Sequence, residues 1–502
     1  MTAMATPGVL SARVFPRLYR DSVALMALAS GLERTGGVEQ VGAVMATPAN
    51  LEILGRSGMC PPDVAAAPDD LLVVVRAVDA DVADAALRAA EGGLQGSEEL
   101  GAQPAGRPAP GTIREALAQA PESTLVAIST PGTYAPIVAE QALRAGRHVF
   151  CFSDNVSIED ERRLKTLAVD MGLLLMGPDC GTAMLDGVPL GFANVVRPGP
   201  IGIVSASGTG AQEVACLLHH AGTGVSQIVG VGGRDLTAAV GGLMTHHAID
   251  LVAADPATAV VVVVSKPPDP EVAEALLAHL ARLDKPSIAC LLGRDDSDAP
   301  VRVRGTLEAG ARAAAELVGQ ALAESPLQVM ASVQGAPRLR PGGIVRGLFA
   351  GGTLASEAKH VLRSLGVAAT ITDLGDDQYT AGRPHPMIDP TLRAQEVAAT
   401  GEQPDVAVVL LDVVLGHGSN ADPAGPIAEA VRTARSAAAR GGYDLPVVAS
   451  VCGTELDPQG ITGQRQTLLH AGVAIAPSAA AAARAAAELL AHTNPREGSE
   501  RS

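Results

Sequence analysis

The segment IGIVSASGTGAQEVACLL, residues 201–218, decides the fold class of this chain. Apolar residues typical of a buried strand run into the small residues 205–210, and a helical pattern follows. A helix that begins directly after a strand leaves backbone N–H groups unpaired in its first turn, and its dipole makes that end electropositive. The segment therefore predicts an α/β unit whose helix start can bind an anion.

Composition favours the same class of protein. The chain has 502 residues, of which 47% are hydrophobic and only 2% aromatic, and it has no Trp. A core of Val, Leu, Ile and Ala suits parallel strands covered by helices, and this length predicts roughly two to four domains. Strand-length apolar runs alternate with helical patterns along the chain. The sequence thus predicts an α/β protein with several doubly wound, mostly parallel sheets.

Charge and targeting signals exclude several kinds of partner. The net charge is -17 without any block of Lys and Arg, which argues against nucleic acid and anionic membranes. The longest apolar runs, such as residues 259–264, are far shorter than the ~20 residues that cross a bilayer. Residues 1–17 lack the charged start and apolar block of a secretory signal, so a cytoplasmic protein is expected. The six cysteines form no CxxC pair, so reduced structural thiols and no metal are expected.

A second segment, GLFAGGTLASEAKHVL at residues 347–362, repeats the form of the first. Each has an apolar strand, a turn of small residues, a Thr, and a helix with an acidic residue in its first turns. One such turn alone is more often only a turn, but the matched pair predicts a quasi-duplicated unit. If the two helix starts face each other, their dipoles converge on one anion. The predicted phosphate ligands are Ser207, Gly208, Thr209 and Gly210 in the first segment and Gly351, Gly352 and Thr353 in the second.

Two further turns after predicted strands could add positive charge. The turn VGGRDL contains Gly232, Gly233 and Arg234, and its guanidinium could bind phosphate in a bidentate manner. The alternative is a surface arginine loosely paired with Asp235. Lys266 ends another predicted strand, in VSKPPDP.

Candidate catalytic or substrate-binding residues lie in the last third of the chain. The proline-rich loop GRPHPMIDPTLR holds His385, Asp389 and Arg393, which could bind a dicarboxylate-like substrate or transfer a proton. The alternative is an aspartate helix cap beside a solvated histidine. Predicted strand ends, where α/β sheets bind ligands, supply three more candidates, Asp412, His417 and Thr454.

These motifs resemble parts of succinyl-CoA synthetase. Residues 201–218, with GVGGRDL, resemble its α-subunit, in which such a helix points at a phosphohistidine. The turn MGPDCGT resembles the end of its CoA-binding domain, and AGGTLASEA resembles a helix of its β-subunit. Fusion of these parts is the organisation of the FdrA family, which the chain resembles along nearly its whole length, including FSDNV, GFANVVRPG, HPMIDPTLR and CGTELDP.

Pattern and resemblance together give a domain order. The expected units are an N-terminal βαβ module, a Rossmann-like CoA-binding-type domain, two flavodoxin-like domains of the synthetase α-subunit and β-subunit types, and a disordered tail. Their expected ranges are residues 1–68, 69–198, 199–330, 342–491 and 492–502.

The departures from the synthetase concern its phosphate carrier and its nucleotide. The region that corresponds to its phosphohistidine loop, residues 288–311, has no His. Lys266 stands where the synthetase has an acidic turn, and no clear ATP-grasp domain is present. The N-terminal glycine-rich CoA turn is replaced by VFPRLYRDSVALM. The phosphate is therefore expected to arrive on a substrate rather than on the protein.

The function expected from these features is that of a carbamoyl- or acyl-phosphate transferase subunit. The resemblance to FdrA implies transfer from carbamoyl phosphate to oxamate, giving oxalurate and phosphate in purine-ureide (allantoin) breakdown, with partner subunits, oligomerisation and no required cofactor. One alternative is an acyl-CoA synthetase subunit that uses CoA, with ATP handled by an ATP-grasp partner. A second is a non-catalytic ligand-binding scaffold.

Overall fold

The computed structural model divides the chain into two compact units. The first comprises Met1–Gln119 with Asp376–Asp389, and the second comprises Ala120–Gly375 with Pro390–Ser502. The residues that the structure describes are 8–18, 20, 22–33, 35–56, 58–61, 64–96, 110–323, 326–329, 337–380 and 384–491. The predicted tail, residues 492–502, lies outside them. Among the described residues, no helix combines the length and the hydropathy needed to cross a membrane.

The first unit is built around one short antiparallel sheet. Its elements before residue 120 are β1 (Val9–Phe15), α1 (Ser22–Glu33), β2 (Val38–Met45), α2 (Pro48–Arg56), β3 (Leu71–Ala77), α3 (Ala80–Gly96) and α4 (Ile113–Gln119). The strand order is β1-β3-β2, with β3 antiparallel to both neighbours. Val73 and Val75 of β3 pack with α1 and α3, and Leu72 and Val74 pack with Leu54 on the opposite face.

The position of β3 differs from the predicted domain boundary at residue 68. The strand was expected to open the Rossmann-like domain, but it is the central strand of the first unit. Its apolar side chains are buried on both faces, and a strand covered on both faces belongs in the middle of a sheet rather than at an edge. The βαβ segment β1-α1-β2 is present, and its two strands are separated by β3.

The second unit contains three mostly parallel sheets. The first, of order β4-β5-β6, is formed by β4 (Leu125–Ile128), α5 (Ala135–Arg144), β5 (His148–Cys151), α6 (Ile158–Asp170) and β6 (Leu175–Met176). The second, of order β13-β12-β11-β9-β10-β7-β8, is formed by β7 (Thr182–Leu185), β8 (Val188–Gly191), β9 (Pro198–Ser205), α7 (Gly208–His220), β10 (Val225–Gly230), α8 (Leu243–Ala254), β11 (Val260–Ser265), α9 (Pro270–Leu280), β12 (Ser287–Leu291), β13 (Arg302–Arg304) and α10 (Leu307–Leu317).

The third sheet has the order β15-β14-β16-β17-β18 and is wholly parallel. Its region comprises β14 (Ile344–Phe349), α11 (Gly352–Ser364), β15 (Ala369–Asp373), α12 (Asp377–Thr380, in the first unit), α13 (Thr391–Ala399), β16 (Val406–Val414), α14 (Ala424–Arg440), β17 (Val447–Cys452), α15 (Ile461–His470), β18 (Val473–Ala476) and α16 (Ala479–Ala491). The predicted α/β class with several parallel sheets is confirmed.

The hairpin β7–β8 crosses the predicted boundary at residue 198. It was expected to belong to the Rossmann-like domain, but β7 pairs antiparallel with β10, with Ile228 opposite Met184. This pairing covers an edge of the parallel strands that would otherwise expose unpaired backbone groups.

Two glutamates lock the second and third sheets together. Glu213 of α7 accepts a hydrogen bond from the backbone N–H of Ala479, the first residue of α16, at 3.0 Å. Glu357 of α11 accepts one from the N–H of Leu307, the first residue of α10, at 2.5 Å. Each helix that follows a glycine-rich turn thus caps a helix on the other sheet. These are the acidic residues that the two matched sequence segments share.

Burial of these carboxyl groups makes the stability of the protein depend on pH. Burial raises the pKa of Glu213 to about 7 and that of Glu357 to about 8, from an ordinary 4.5. Because the folded protein then binds more protons than the unfolded chain, this stability is fully present below about pH 4.5 and is lost as the pH rises through 7 and 8.

Substitution Glu357→Gln should flatten this pH dependence, because the amide keeps the hydrogen bond from Leu307 and cannot ionise. The measurement is the melting temperature at a series of pH values between about 4.5 and 9. Glu429→Gln, at an exposed position on α14, is the matched control and should leave the curve unchanged. Parallel curves for Glu357→Gln and the unsubstituted protein would contradict the argument.

Candidate functional site

The first turns of α7 and α11 meet at one point in the second unit. Ser207 caps α7, and its Oγ accepts a hydrogen bond from the N–H of Gly210 at 2.9 Å. The same Oγ lies 2.5 Å from Oγ1 of Thr353, in the first turn of α11. The two helix starts that the sequence matched to each other therefore face each other and are hydrogen bonded.

Small residues are required at this meeting point. A Cβ atom built on Gly210 would lie 3.1 Å from Cγ2 of Thr353, and one built on Gly351 would lie 3.1 Å from Cγ2 of Thr209. Each helix thus places its threonine methyl group against a glycine of the other helix. Larger side chains at either glycine would push the two helix starts apart.

Several hydrogen-bond donors at these helix starts are not engaged. A backbone N–H at a helix start has no partner within its own helix. Within the part of the chain that the structure describes, the groups without an acceptor include those of Gly208, Thr209, Gly352 and Thr353. The Oγ1 atom of Thr182, at the start of β7, is also buried without a partner and lies 3.1 Å from a Cβ atom built on Gly208. Unengaged N–H groups at helix starts are the kind of donor that binds oxyanions in proteins. We call the four named N–H groups and the Thr182 hydroxyl the anion cradle.

Two charged side chains flank the α11 side of the anion cradle. A Cβ atom built on Gly352 would lie 3.2 Å from Nζ of Lys266 and would overlap Oδ2 of Asp373. Lys266 is exposed and was predicted to add positive charge at this edge. Asp373, at the end of β15, was not predicted, because nothing in its local sequence distinguishes it from other strand-end aspartates.

The carboxylate of Asp412 holds the turn before α11 and is buried there. Its carboxylate accepts hydrogen bonds from the N–H groups of Ala350 and Gly351 at 2.9 and 2.7 Å. The guanidinium of Arg393 lies 2.8 Å from Oδ1 of Asp412 and donates to the carbonyl oxygen of Leu348, and both charged side chains are buried. Asp412 and Arg393 were expected to touch substrate, but the structure uses their charges to hold the turn in place.

Arg234 likewise serves a buried ion network. Its Nη2 lies 2.7 Å from Oε2 of Glu161 and donates to the carbonyl oxygen of Val156. Oε1 of Glu161 lies 2.7 Å from Nζ of Lys165, which also lies 2.7 Å from Oδ1 of Asp235; these last three side chains are fully buried. The charges of the four side chains balance, which a buried ion network requires. Arg234 was predicted to bind phosphate, but its contacts place it in this ion network.

The turn before Arg234 is also packed against protein. Gly232 has a φ of 86°, and a Cβ atom there would overlap the carbonyl oxygen of Pro178. A Cβ atom built on Gly233 would lie 3.9 Å from Oδ2 of Asp179. These two predicted phosphate ligands border the loop after β6, whereas the anion cradle is bordered by Thr182, Lys266 and Asp373.

Two other candidates tie the third sheet to residues 193–195. The hydroxyl of Thr454 donates to the carbonyl oxygen of Val195 at 2.6 Å, and Asp457 accepts from the Val195 N–H at 2.7 Å. His417 pairs with Ala193 through its backbone, and the residue is exposed. The hydroxyl of Thr454 therefore serves to connect two parts of the fold.

The proline-rich loop is divided between the two units. His385 and Asp389 belong to the first unit, and Arg393 belongs to the second. Nδ1 of His385 accepts a hydrogen bond from the N–H of Met387 at 3.2 Å. Burial lowers the pKa of His385 to about 4, so its imidazole is neutral at pH 7. Arg393 pairs with Asp412 within the second unit.

The thiols are all free. The six cysteines lie among the described residues and form no disulfide, although Sγ of Cys216 in α7 lies 4.0 Å from Sγ of Cys452 at the end of β17. Burial and the contact with the other thiol raise the pKa of Cys452, and burial raises that of Cys216. Cys216 and Cys452 are packed between the second and third sheets as protonated thiols.

Two family models match the chain. The model described as CoA-ligase matches residues 348–489, and the model described as AllF, heavy metal-associated domain, matches residues 4–108. Among the described residues, no three or more His, Cys, Asp or Glu side chains form a group that could hold a metal ion.

One relative matches nearly the whole length of the chain. The uncharacterized protein YahF of Escherichia coli strain K12 is 39% identical over 498 residues, covering 92% of this chain and 95% of YahF. The chain belongs to the YahF family. Its resemblance to the succinyl-CoA synthetases is also supported, since it carries a CoA-ligase domain and a region like their α-subunits.

Subunits of acid–CoA ligases match shorter parts of this YahF-family chain. Subunit alpha-2 of the ADP-forming succinate–CoA ligase of Trichomonas vaginalis is 30% identical over 179 residues, covering 34% of this chain and 56% of the subunit. The malate–CoA ligase subunit alpha of Methylorubrum extorquens is 27% identical over 198 residues, covering 38% of this chain and 64% of the subunit. The chain therefore spans less than two thirds of either ligase subunit.

The ion pair beneath the anion cradle gives a direct prediction. Arg393→Met should lower the free energy of unfolding by about 3–5 kcal/mol, because it leaves the buried Asp412 carboxylate without its counter-charge. Chemical denaturation at pH 7 measures this change. Arg432→Met, which breaks an exposed pair with Glu429, should cost at most about 1 kcal/mol. Equal effects of the two substitutions would contradict the structural role of Arg393.

Proposed function

We propose that this chain is the phosphate-binding subunit of an acid–CoA ligase-type enzyme. In this proposal the phosphoryl group of an acyl phosphate is held in the anion cradle, between the starts of α7 and α11. The observation that supports it is the hydrogen bond between Ser207 and Thr353, which brings two helix starts with unengaged N–H groups to one point.

The anion cradle suits a phosphate that becomes a leaving group. Each helix start can stabilise a nearby anion by up to ~2 kcal/mol in a partly buried setting. As an acceptor attacks the acyl carbon, the bond between that carbon and the phosphate oxygen breaks, and the electron pair stays on the phosphate. Fixed N–H donors and the Lys266 ammonium would stabilise the charge that develops there, and Asp373 would partly offset the Lys266 charge.

The relatives support an acid as the source of the acyl group. The two ligase subunits are named for succinate and malate, and one is named as ADP-forming. Both are named as subunits, so a partner subunit that handles the nucleotide is part of the proposal. In this respect the CoA-ligase alternative has more support than carbamoyl transfer.

The edge of the β4-β5-β6 sheet is where a CoA-binding-type domain would hold CoA. Ligands of parallel sheets bind at the carboxyl ends of the strands. Here the three loops at that edge, residues 129–134, 152–157 and 177–180, contain Asp154 and Asp179 and no Lys or Arg. The helix that follows β5 begins with three acidic residues. Arg234, which reaches this edge at Val156, is paired with Glu161, so these loops supply no free cation for the phosphate groups of CoA.

Carbamoyl transfer from carbamoyl phosphate to oxamate is the second candidate. It needs the same anion cradle and neither CoA nor a phosphohistidine. The acidic edge of the β4-β5-β6 sheet favours it, as does the absence of His from residues 288–311. Both candidates release inorganic phosphate, so they share the predictions for the anion cradle and differ in the acceptor.

Two substitutions test the anion cradle. Thr182→Val removes a buried hydroxyl while keeping the shape of the side chain, and the methyl group of Gly352→Ala overlaps Oδ2 of Asp373 and crowds the ammonium of Lys266 beside the N–H donors. Each should weaken the binding of inorganic phosphate about tenfold, which corresponds to ~1.4 kcal/mol, a typical value for a charge-assisted hydrogen bond. Isothermal titration calorimetry provides the measurement.

Matched controls are available in the same unit. Thr433→Val changes an exposed threonine of α14, and Gly463→Ala adds a methyl group to α15 where no atom lies within 4 Å. Both should bind phosphate like the unsubstituted protein. If Thr182→Val and Gly352→Ala also bind phosphate unchanged, the anion cradle is not the phosphate site.

The acceptor is tested by phosphate release with the full chain and its co-encoded partner proteins. An acid–CoA ligase complex should release phosphate from succinyl phosphate only when CoA is added. A carbamoyltransferase should release it from carbamoyl phosphate in an oxamate-dependent manner. If neither CoA nor oxamate causes phosphate to be released, both candidates are contradicted. Thr182→Val should slow whichever reaction occurs.

A further inference from the structure

A cavity of about 320 Å³ lies at the far end of α7 from the anion cradle. Its walls come from the last turns of α7, from α10, from α15 and from the start of α16. Apolar side chains form much of the surface, including Leu217, Leu322 and Ile475. Its volume falls in the range of about 300–1,000 Å³ that small-molecule sites occupy.

The charged residues of this cavity are predominantly positive. Among the described residues, three arginines line it, Arg312, Arg465 and Arg484, together with one acid, Glu308. Glu308 is shared, since it lies 2.5 Å from Arg484 and 3.4 Å from Arg312. The Arg312 guanidinium also donates to the carbonyl oxygen of Leu322 at 2.9 Å.

Arg465 differs from the other two arginines. Its Nε is buried and has no hydrogen-bond acceptor, and no ion pair joins its guanidinium to a carboxylate within the described residues. Burial makes its charged state more costly, which lowers its pKa. The neighbouring His220 is neutral, since burial and the Arg465 charge lower its pKa to about 4. Glu213 and Glu455 act on this charge only at longer range, without a direct ion pair. A half-buried cation in this setting is unfavourable unless an anion from outside completes the site.

We propose that this cavity binds a small organic oxyanion, a carboxylate or phosphate headgroup carried on an apolar body. The headgroup pairs with Arg465, and the apolar body contacts the side chains of Leu217, Leu322 and Ile475. The cavity is separate from the anion cradle, because the 13-residue helix α7 spans about 18 Å between them. The inference therefore does not depend on the proposed function.

Four simple probes test the two halves of this site in the full-length protein. Hexanoate and hexyl phosphate carry both the headgroup and the body, acetate carries only the headgroup, and hexan-1-ol carries only the body. Saturation-transfer NMR and calorimetry should detect binding of hexanoate or hexyl phosphate. The ratio of the two dissociation constants shows which headgroup is preferred. Acetate and hexan-1-ol should bind at least about tenfold more weakly, because each lacks one set of contacts.

Arg465→Met is the decisive variant. It keeps much of the apolar stem and removes the charge, so binding of the preferred probe should fall at least about tenfold. Its melting temperature should equal or exceed that of the unsubstituted protein, because an unpaired half-buried charge has been removed. Arg432→Met, on exposed α14, is the matched control for binding.

Several outcomes would overturn the proposal. These are no binding of hexanoate or hexyl phosphate at millimolar concentration, equal binding of hexan-1-ol, or unchanged binding by Arg465→Met. A large fall in the melting temperature of Arg465→Met with unchanged probe binding would instead assign the arginine a purely structural role. Gly352→Ala should bind the probes normally, which separates this site from the anion cradle.

Discussion

The contact between Ser207 and Thr353 is the constraint on which the arrangement of the second unit depends. A serine that caps one helix and a threonine in the first turn of another share a hydrogen bond of 2.5 Å. Such a contact is possible only because Gly210 faces the methyl group of Thr353 and Gly351 faces that of Thr209. It brings two electropositive helix ends together, which is unfavourable unless an anion or nearby acids offset their field. The geometry of the site and its need for an anion therefore have the same origin.

Buried acids hold this unfavourable arrangement in place. Asp412 engages the backbone before α11, and Arg393 balances its charge. Glu213 and Glu357 each cap a helix that belongs to the opposite sheet. The two helices that carry the anion cradle are thus fixed at both sheets by polar and charged groups that water does not reach. A rigid frame of this kind keeps the N–H donors oriented before a ligand binds.

The sequence was informative where a pattern is local. Alternating apolar strands and helices predicted the α/β class, and two matched turns predicted the pair of helix starts, down to Ser207 and Thr353. It was less informative for isolated charges. Arg234 and Arg393 resemble anion ligands in their turns. In the structure, Arg234 forms an ion pair with Glu161, and Arg393 forms one with Asp412. Those partners lie far away along the chain, and only the fold brings them within hydrogen-bonding distance. The buried Thr182 hydroxyl and the unpaired Arg465 could not be identified for the same reason.

The sequence by itself determined that this protein is a layered α/β chain of the YahF family with two helix starts suited to an anion. Backbone donors at a helix start follow from local sequence, because they need only a strand, a turn of small residues and a helix. The tertiary structure alone decided that the two starts face each other, that β3 joins the N-terminal sheet, and which charges remain unpaired. Each of these depends on contacts between residues distant in sequence, and a side chain's charge has no assigned role until its neighbours are in place.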